Sequence, residues 1–171
     1  KTDRPILAAI KGDNDTLIID AGNSTAHAKL FKEQLAAHQV FGTFLALTHW
    51  HWDHVFGLEE MDMPAIANNM TYEKVKELQQ YSWEDKELDE RVEAGIEIPF
   101  CRDAIKLELG TNREIKIPDP TLIFEKQIQL HLGGVSVFIE HIGGDHSPDG
   151  KLIYIPEEKA LFLGDSLYAN M

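Results

Sequence analysis

The chain has 171 residues, of which 43% are hydrophobic and 26% are charged, and its formal net charge is −13. This length suggests one domain with a core of its own, and no apolar run approaches the roughly 20 residues that a membrane-spanning helix requires. A strongly acidic surface repels phosphate backbones, which disfavours a nucleic-acid partner, and the single cysteine, Cys101, excludes an internal disulfide and a cysteine-rich zinc site.

The first elements that the sequence predicts are a β-hairpin and a helix. Two apolar runs, Ile6–Ile10 and Thr16–Asp20, flank a tetrapeptide of turn-forming residues, which is typical of a hairpin. A helix then extends to about Gln39, and either Ser24 or Thr25 is placed to cap its N-terminus.

The most informative segment is rich in histidine and follows the predicted buried strand Val40–Leu47. His49 and His51 are two positions apart, so on an extended backbone both imidazoles leave the same side. A turn after them would fold Asp53 and His54 back toward the same volume. Imidazole nitrogen and carboxylate oxygen are the usual protein ligands of zinc and similar metals, so two neighbouring ions could divide these four groups between them in pairs.

Residues 55–98 differ in composition from the rest of the chain. Pro64–Ala67 could form a short strand. The charged stretch Thr71–Glu93 carries apolar residues at spacings of three and four, which predicts one or two amphipathic helices with solvated charged faces. From Ile115 onward the pattern is mostly β, and strands are predicted at Leu122–Phe124, Gln127–Leu132, Val135–Ile142, Lys151–Ile155 and Lys159–Leu163.

The segment Thr48–His54 resembles the His-x-His-x-Asp-His signature of the metallo-β-lactamase-fold hydrolases. Two later segments fit the same family: the loop Gly143–Pro148, in which a histidine lies between glycines and Ser-Pro, and Gly164–Asp165 after an apolar strand. The resemblance implies an α/β fold of the αββα sandwich type, with two mixed β-sheets packed face to face and helices outside. It also implies a single domain over residues 1–171, with a helical insertion at about 68–98.

The resemblance further implies a centre with two metal ions. The residues that it assigns as ligands are His49, His51, Asp53, His54, His146 and Asp165. His146 would complete a three-histidine site, and Asp165 would bridge the two ions. His141 is the rival of His146, but the Ser-Pro pattern favours His146. Asp20 would orient a ligand imidazole or a backbone amide, and its alternative is a plain turn residue.

The family usually has one more histidine ligand downstream, and this sequence has no candidate for it beyond His146. We therefore expect residues past Met171 to complete the second metal site and the C-terminal part of the fold. The first residue is lysine rather than methionine, which is consistent with a trimmed N-terminus. No signal-like segment is visible, and the cytoplasm is the expected compartment.

By resemblance the protein is a zinc-dependent hydrolase, with iron or manganese as alternative metals. A metal-activated hydroxide, whose parent water has its pKa lowered toward about 7, would attack an ester, lactone or thioester. Asp53 would accept or pass the proton, and Tyr168 resembles a tyrosine that lactonase-like members direct at the substrate carbonyl. The bridging position of Asp165 argues against a true β-lactamase.

Three alternative functions remain open: an iron dioxygenase with one metal and the same fold, a β-lactamase, and a metal-binding module without catalysis. The expected partner is a small-molecule substrate, with neither nucleic acid nor a membrane involved, and the oligomeric state stays open with a dimer as one option. The remaining histidines lack partners by spacing and are expected at surface or structural positions, namely His27, His38 and His131.

Overall fold

The framework of the fold is a pair of β-sheets packed face to face, as the resemblance implies. The computed structural model describes residues 3–111 and 113–167. The first sheet contains, in spatial order, β1 (Ala8–Lys11), β2 (Thr16–Ile19), β3 (Phe44–Ala46), β4 (Ala65–Asn68) and β5 (Leu122–Phe124). The second sheet contains β6 (Gln127–His131), β7 (Ser136–His141), β8 (Lys151–Ile155) and β9 (Ala160–Phe162).

The two sheets differ in strand direction. In the first sheet, β1 and β2 pair antiparallel as the predicted hairpin, and the strands from β2 to β5 run parallel. In the second sheet, every described pair of neighbouring strands is antiparallel, so this sheet is not mixed over the described residues. Two of the connections between its strands are short turns, one of which contains Gly133–Gly134, and the connection between β7 and β8 is a longer loop. A short turn can connect only antiparallel neighbours.

Helices occupy the connections between strands of the first sheet. They are α1 (Thr25–Ala37), α2 (Trp52–Val55), α3 (Leu58–Met61), α4 (Asn69–Leu78), α5 (Asp85–Glu93) and α6 (Pro99–Leu109). Ser24 caps α1, because its Oγ accepts a hydrogen bond from His27 N at 3.0 Å. Asn68 caps α4 in the same way through Thr71 N at 2.8 Å. Within the part of the chain that the structure describes, no helix is both long and apolar enough to cross a membrane.

The central strands of the first sheet are buried on both faces. Leu17 and Ile19 of β2 point into the core between the sheets, whereas Ile18 points into the helical layer, and each is at most 2% exposed. Burial on both faces holds the strand ends, and therefore the loops that follow them, in fixed positions. The outer face of the second sheet, in contrast, exposes one apolar residue from each of three neighbouring strands, namely Phe138, Tyr154 and Leu161.

One strand prediction was too long. Residues Val40–Leu47 were expected as a single strand, but only Phe44–Ala46 pair within the sheet. Gln39, with a φ of 57°, turns the chain at the end of α1, and Phe41 is 71% exposed, so the apolar character of residues 40–43 is not used by the sheet. The buried end of the segment still delivers the histidine-rich loop at the C-terminal end of β3.

Candidate metal centre

The histidine-rich loop leaves β3 in extended conformation and turns at once into a short helix. Because α2 begins at Trp52, the extended part ends at His51. A hydrogen bond from His54 N to His51 O at 3.0 Å closes the first helical turn. This is the turn that the spacing predicted, and it directs the side chains of Asp53 and His54 back toward those of His49 and His51.

Four imidazole rings converge at this end of the sandwich. The ring centroids of His49 and His51 are 4.5 Å apart, and those of His49 and His54 are 4.1 Å apart. His146 comes from the loop between β7 and β8, and its centroid lies 4.5 Å from that of His51 and 5.1 Å from that of His49. A loop of the second sheet thus meets a loop of the first sheet at one point.

Two carboxylates complete the cluster. Asp165, beyond β9, places its Oδ2 3.7 Å from His54 Nε2 and also 3.7 Å from His146 Nε2, so this oxygen lies between the two rings. Asp53 Oδ2 lies 3.2 Å from His54 Nε2. The structure therefore brings together all six residues that the sequence predicted as metal ligands.

The potential ligand atoms form two overlapping groups. The atoms of each group lie within 4.8 Å of one another, and the groups are His49/His51/His146 and His49/His54/Asp165. The first group has the composition of the predicted three-histidine site. The second contains His54 and Asp165 of the predicted second site together with His49. Asp53, the remaining member of that predicted site, has its Oδ2 3.2 Å from His54 Nε2.

The other candidates lie apart from these groups. His141, the rival of His146, belongs to neither, and its Nε2 contacts Pro148 O at 2.8 Å. Tyr168 lies outside the described residues, so its role stays a prediction. Three more histidines also fall outside both groups, namely His27, His38 and His131.

Asp20 supports this centre from behind. Its Oδ1 accepts a hydrogen bond from Thr48 N at 2.7 Å, and its Oδ2 accepts from Thr48 Oγ1 at 2.7 Å and from His54 Nδ1 at 2.8 Å. With Nδ1 as the donor, the Nε2 atom of His54 is left to face the acidic cluster. Asp20 therefore makes both contacts that the sequence suggested, one to a ligand imidazole and one to a backbone amide.

Two of the imidazoles are neutral at pH 7. Burial, followed by the charges of His54 and His51, holds the pKa of His49 far below its ordinary value. Burial, followed by the charge of His146, lowers the pKa of His51 to about 4. Both rings therefore offer a nitrogen lone pair, which is the form that binds a metal.

His54 titrates in the opposite direction. Burial alone would lower its pKa, but the charge of Asp20 and hydrogen bonds to the three neighbouring carboxylates raise the pKa well above its ordinary value. Those carboxylates belong to Asp165, Asp20 and Asp53. A cation that binds His54 Nε2 must therefore displace a proton, which makes its affinity depend on pH.

The donor set fits a divalent metal ion. His49 Nε2 is buried and makes no hydrogen bond within the described residues, which is costly for a polar atom unless another partner is present. A cavity of about 10 Å³, bordered among others by His49, His146 and Asp165, has room for about one water-sized species. Imidazole nitrogens together with carboxylates are suitable ligands for zinc, iron or manganese.

One acidic residue near the centre was not predicted. Burial raises the pKa of Asp3, and the negative charges of Asp53 and Asp165 raise it further. Asn23 Nδ2 donates a hydrogen bond to Asp3 O at 3.1 Å and holds this segment against the loop after β2. No sequence signal identifies Asp3, because it belongs to no motif and reaches the site only through the fold.

The sequence matches a known family. A family model for the metallo-β-lactamase superfamily matches residues 8–171. No curated protein matches the chain at a significant level.

Solved structures share this fold at low sequence identity. A mutant metallo-β-lactamase from Cronobacter sakazakii is 16% identical, with a TM-score of 0.65 over 93% of this chain and 56% of that one. The FEZ-1 metallo-β-lactamase from Legionella gormanii is 12% identical, with a TM-score of 0.65 over 99% and 61%. A double mutant of the sec-alkyl sulfatase PisA1 is 20% identical, with a TM-score of 0.66 over 93% and 28%. The chain thus spans just over half the length of the first of these proteins, and such identities establish the fold alone.

Proposed function

Because the chain belongs to the metallo-β-lactamase superfamily, we propose that it is a metal-dependent hydrolase with the six clustered residues as its ligands. The observation that carries this proposal is the convergence of four imidazoles and two carboxylates, from loops of both sheets, on one point. When bound there, divalent ions lower the pKa of a coordinated water toward about 7 and polarise a substrate oxygen.

We propose two zinc ions in each chain. The three-histidine group suits zinc, which in catalytic sites takes three protein ligands and keeps one position open. The position of Asp165 supports a second ion, because its Oδ2 is equally distant, at 3.7 Å, from nitrogens of His54 and His146. The low pKa values of His49 and His51 keep these two ligands ready to bind at neutral pH.

Asp53 is the proposed proton acceptor. Its side chain is 13% exposed, whereas that of His54 is 2% exposed, and its Oδ2 lies 3.2 Å from His54 Nε2. Asp53 therefore combines a place at the margin of the ligand group with access to solvent. A carboxylate in this position can take a proton from an attacking water and release it to the solvent.

An ester, lactone or thioester of small size is the proposed substrate. The position of Asp165 supports this choice, because a bridging carboxylate argues against a true β-lactamase. The net charge of −13 favours a small-molecule substrate over a nucleic acid, because the protein repels the phosphate backbone. A β-lactam and an alkyl sulfate belong in the test set, because the matched structures carry the names of enzymes for those classes.

The test combines metal analysis with a hydrolysis screen. The zinc-loaded protein is assayed on a lactone, a thioester, a phosphodiester, a β-lactam and an alkyl sulfate, beside His51→Ala and the control His131→Ala. We expect two zinc ions per chain and a loss of kcat/KM of about 100-fold in His51→Ala, with no loss in His131→Ala, because His131 is exposed and outside the cluster. Activity that survived His51→Ala would refute the mechanism, and inactivity of a two-zinc protein on every substrate would favour a non-catalytic metal-binding module.

A second candidate function is supported by the composition of the other ligand group. His49, His54 and Asp165 form a set of two histidines and one carboxylate, which is the ligand set of mononuclear iron oxygenases. An iron dioxygenase of this fold would contain one iron per chain when purified without added metal, and it would consume oxygen with its substrate. Two zinc ions per chain and no oxygen consumption would exclude it.

A further inference from the structure

A lysine without a role in the proposed mechanism is buried behind the metal centre. Lys151, on β8, is only 1% exposed, which is rare for a lysine unless its charge is paired. Its Nζ donates hydrogen bonds to Thr71 Oγ1 at 2.5 Å and to Asp149 O at 3.0 Å. Its backbone N donates a hydrogen bond to Thr48 O at 3.1 Å, and Thr48 directly precedes His49. Lys151 therefore connects its own segment to α4, which carries Thr71, and to the loop that carries His49.

Asp149 connects this lysine to the loop that carries His146. Its Oδ1 accepts a hydrogen bond at 2.5 Å from the hydroxyl of Ser147, the residue that follows His146. Its Oδ2 accepts from Thr71 Oγ1 at 2.5 Å and lies 3.9 Å from Lys151 Nζ. Asp149 is 1% exposed, and a carboxylate buried to this extent requires a nearby positive charge.

The charge state of this lysine suits the buried carboxylate of Asp149. Burial lowers the pKa of Lys151 to about 8, and the charges of Asp149 and then Asp20 oppose that shift, so the ammonium is charged at neutral pH. The positive charge that Asp149 requires is therefore present at neutral pH.

We propose that Lys151 is a positioning residue for the metal centre, whose ammonium balances the buried carboxylate of Asp149. Through this carboxylate, which accepts a hydrogen bond from Ser147, it holds the His146 loop at the separation from the other ligands that metal binding requires. The inference rests on the proposed metal site. A buried lysine that only filled space could be replaced by a methionine without loss, because apolar replacements of buried charges are often neutral or stabilising when no partner charge is left behind.

The test measures the zinc affinity of Lys151→Met, Asp149→Asn and the double variant by competition with a coloured chelator. We expect Lys151→Met to weaken zinc binding at least about 10-fold, which is typical for partners behind metal ligands, and to change the absorption spectrum of the cobalt-loaded protein. The double variant should recover most of the affinity, because it leaves neither buried charge of this pair alone. A purely structural role would not produce this recovery.

The matched control is a buried cation away from the centre. Arg113 is 8% exposed, and its Nη1 donates to Trp83 O at 3.1 Å and to Asp85 Oδ1 at 2.7 Å. Arg113→Met should lower the Tm but leave the zinc affinity within about twofold of the wild type, since it disturbs packing without touching the centre.

Three results would contradict the proposed role of Lys151. A Lys151→Met protein with wild-type zinc affinity and cobalt spectrum would overturn it. If that variant does not fold, Thr71→Val decides, because it removes the hydroxyl between Lys151 and Asp149 and keeps the side-chain shape. We expect at least about threefold weaker zinc binding from the loss of these bonds, and unchanged affinity would overturn the inference. A wild-type protein that binds no metal would instead refute the proposed function, and the inference with it.

Discussion

Asp20 and Asp62 both adopt left-handed backbone conformations, with φ values of 61° and 50°, but their carboxylates have different surroundings. Asp20 is buried and bonded to Thr48 and His54, whereas Asp62 is exposed at the end of α3. Asparagine tolerates this backbone conformation. An Asp→Asn exchange at each position therefore removes a charge without straining the chain.

We predict that Asp20→Asn weakens metal binding about 10- to 100-fold, because the amide no longer accepts the bond from His54 Nδ1 with a full negative charge. Asp62→Asn should leave the affinity unchanged. Isothermal titration of the metal-free proteins with zinc measures both. Equal zinc affinities of Asp20→Asn and the wild type would show that the Asp20 carboxylate does not hold His54 in a binding orientation.

His51 makes a defined contribution to the pH dependence of the metal-free fold. Its pKa is about 4 in the folded chain and about 6.5 in an unfolded one, so between these values the unfolded chain binds more protons at this site. The contribution of His51 to the free energy of unfolding should therefore rise with pH across this window, by no more than about 3 kcal/mol.

Urea unfolding in the presence of a chelator, between pH 4.5 and 7.5, checks this prediction. His51→Gln should show a shallower rise with pH than the wild type, because its side chain does not titrate. His131→Gln, at an exposed position, should retain the wild-type slope. A His51→Gln slope as steep as that of the wild type would contradict the assigned pKa.

The predictability of individual residues depended on local spacing. His49, His51, Asp53 and His54 were recognisable because their spacing has a direct geometric meaning on a strand and a turn. Lys151 was not recognisable, because its partners Thr71 and Thr48 lie far from it in sequence, and a single lysine in an apolar strand carries no pattern.

At the scale of elements, the junction of α2 and α3 has no free space for a side chain at Gly57. Gly57 N donates to Gly22 O at 3.0 Å, and a Cβ atom on Gly57 would lie 2.1 Å from Ala21 O. The backbone of this junction therefore packs directly on the loop after β2. That loop also carries Asp20, so the contact helps to set the distance between Asp20 and His54 of α2.

We predict that Gly57→Ala lowers the free energy of unfolding by at least about 2 kcal/mol, because the methyl group forces two backbone segments apart. Gly95→Ala is the control, since its φ is 70° and no atom of the described residues lies within 4 Å of the added Cβ, which leaves only the backbone cost of about 1 kcal/mol. Urea unfolding of the two variants measures the difference. A smaller effect at Gly57 than at Gly95 would contradict the packing argument.

Helices and strands were predictable where the hydrophobic pattern of the sequence agreed with the burial of the side chains. The hairpin of β1 and β2 and the capped helix α1 are confirmed, because turn and capping residues act locally. Helix α6 was not predicted, since Phe100 and Leu107 are 60% and 61% exposed and blur its apolar face. The pairing of β5 with β4 rather than with β6 depends on contacts between distant segments, which a local pattern does not contain.

For the whole molecule, the net charge of −13 makes cation binding a favourable event. The centre alone places two carboxylates beside four imidazoles, and its ligands come from both sheets. An ion bound to the folded chain but not to the unfolded one stabilises the fold by mass action.

We predict that zinc at 1,000 times its Kd stabilises the fold by about 4 kcal/mol, and that a chelator reverses the effect. Thermal unfolding with and without zinc measures the corresponding rise in Tm. The double variant His49→Ala/His146→Ala should show no zinc-dependent rise. A rise in that variant equal to that of the wild type would place the stabilising ion elsewhere.

The family fold was predictable at this scale because three motifs occur in the expected order. The resemblance implied two mixed sheets, but the described strands of the second sheet are all antiparallel, and a local sequence pattern does not determine how strands pair. That His49 lies close to Asp165 as well as to His146 was not predictable, because this depends on contacts between loops of the two sheets.

The proposed three-histidine group joins His49 and His51, which are two positions apart in the chain, to His146 on a loop of the other sheet. During synthesis the N-terminal part leaves the ribosome first, so His49 and His51 emerge before His146 has been made. The nascent protein would therefore be an incomplete chelator for much of its translation. The proposed site can close around an ion only after the loop between β7 and β8 has been made.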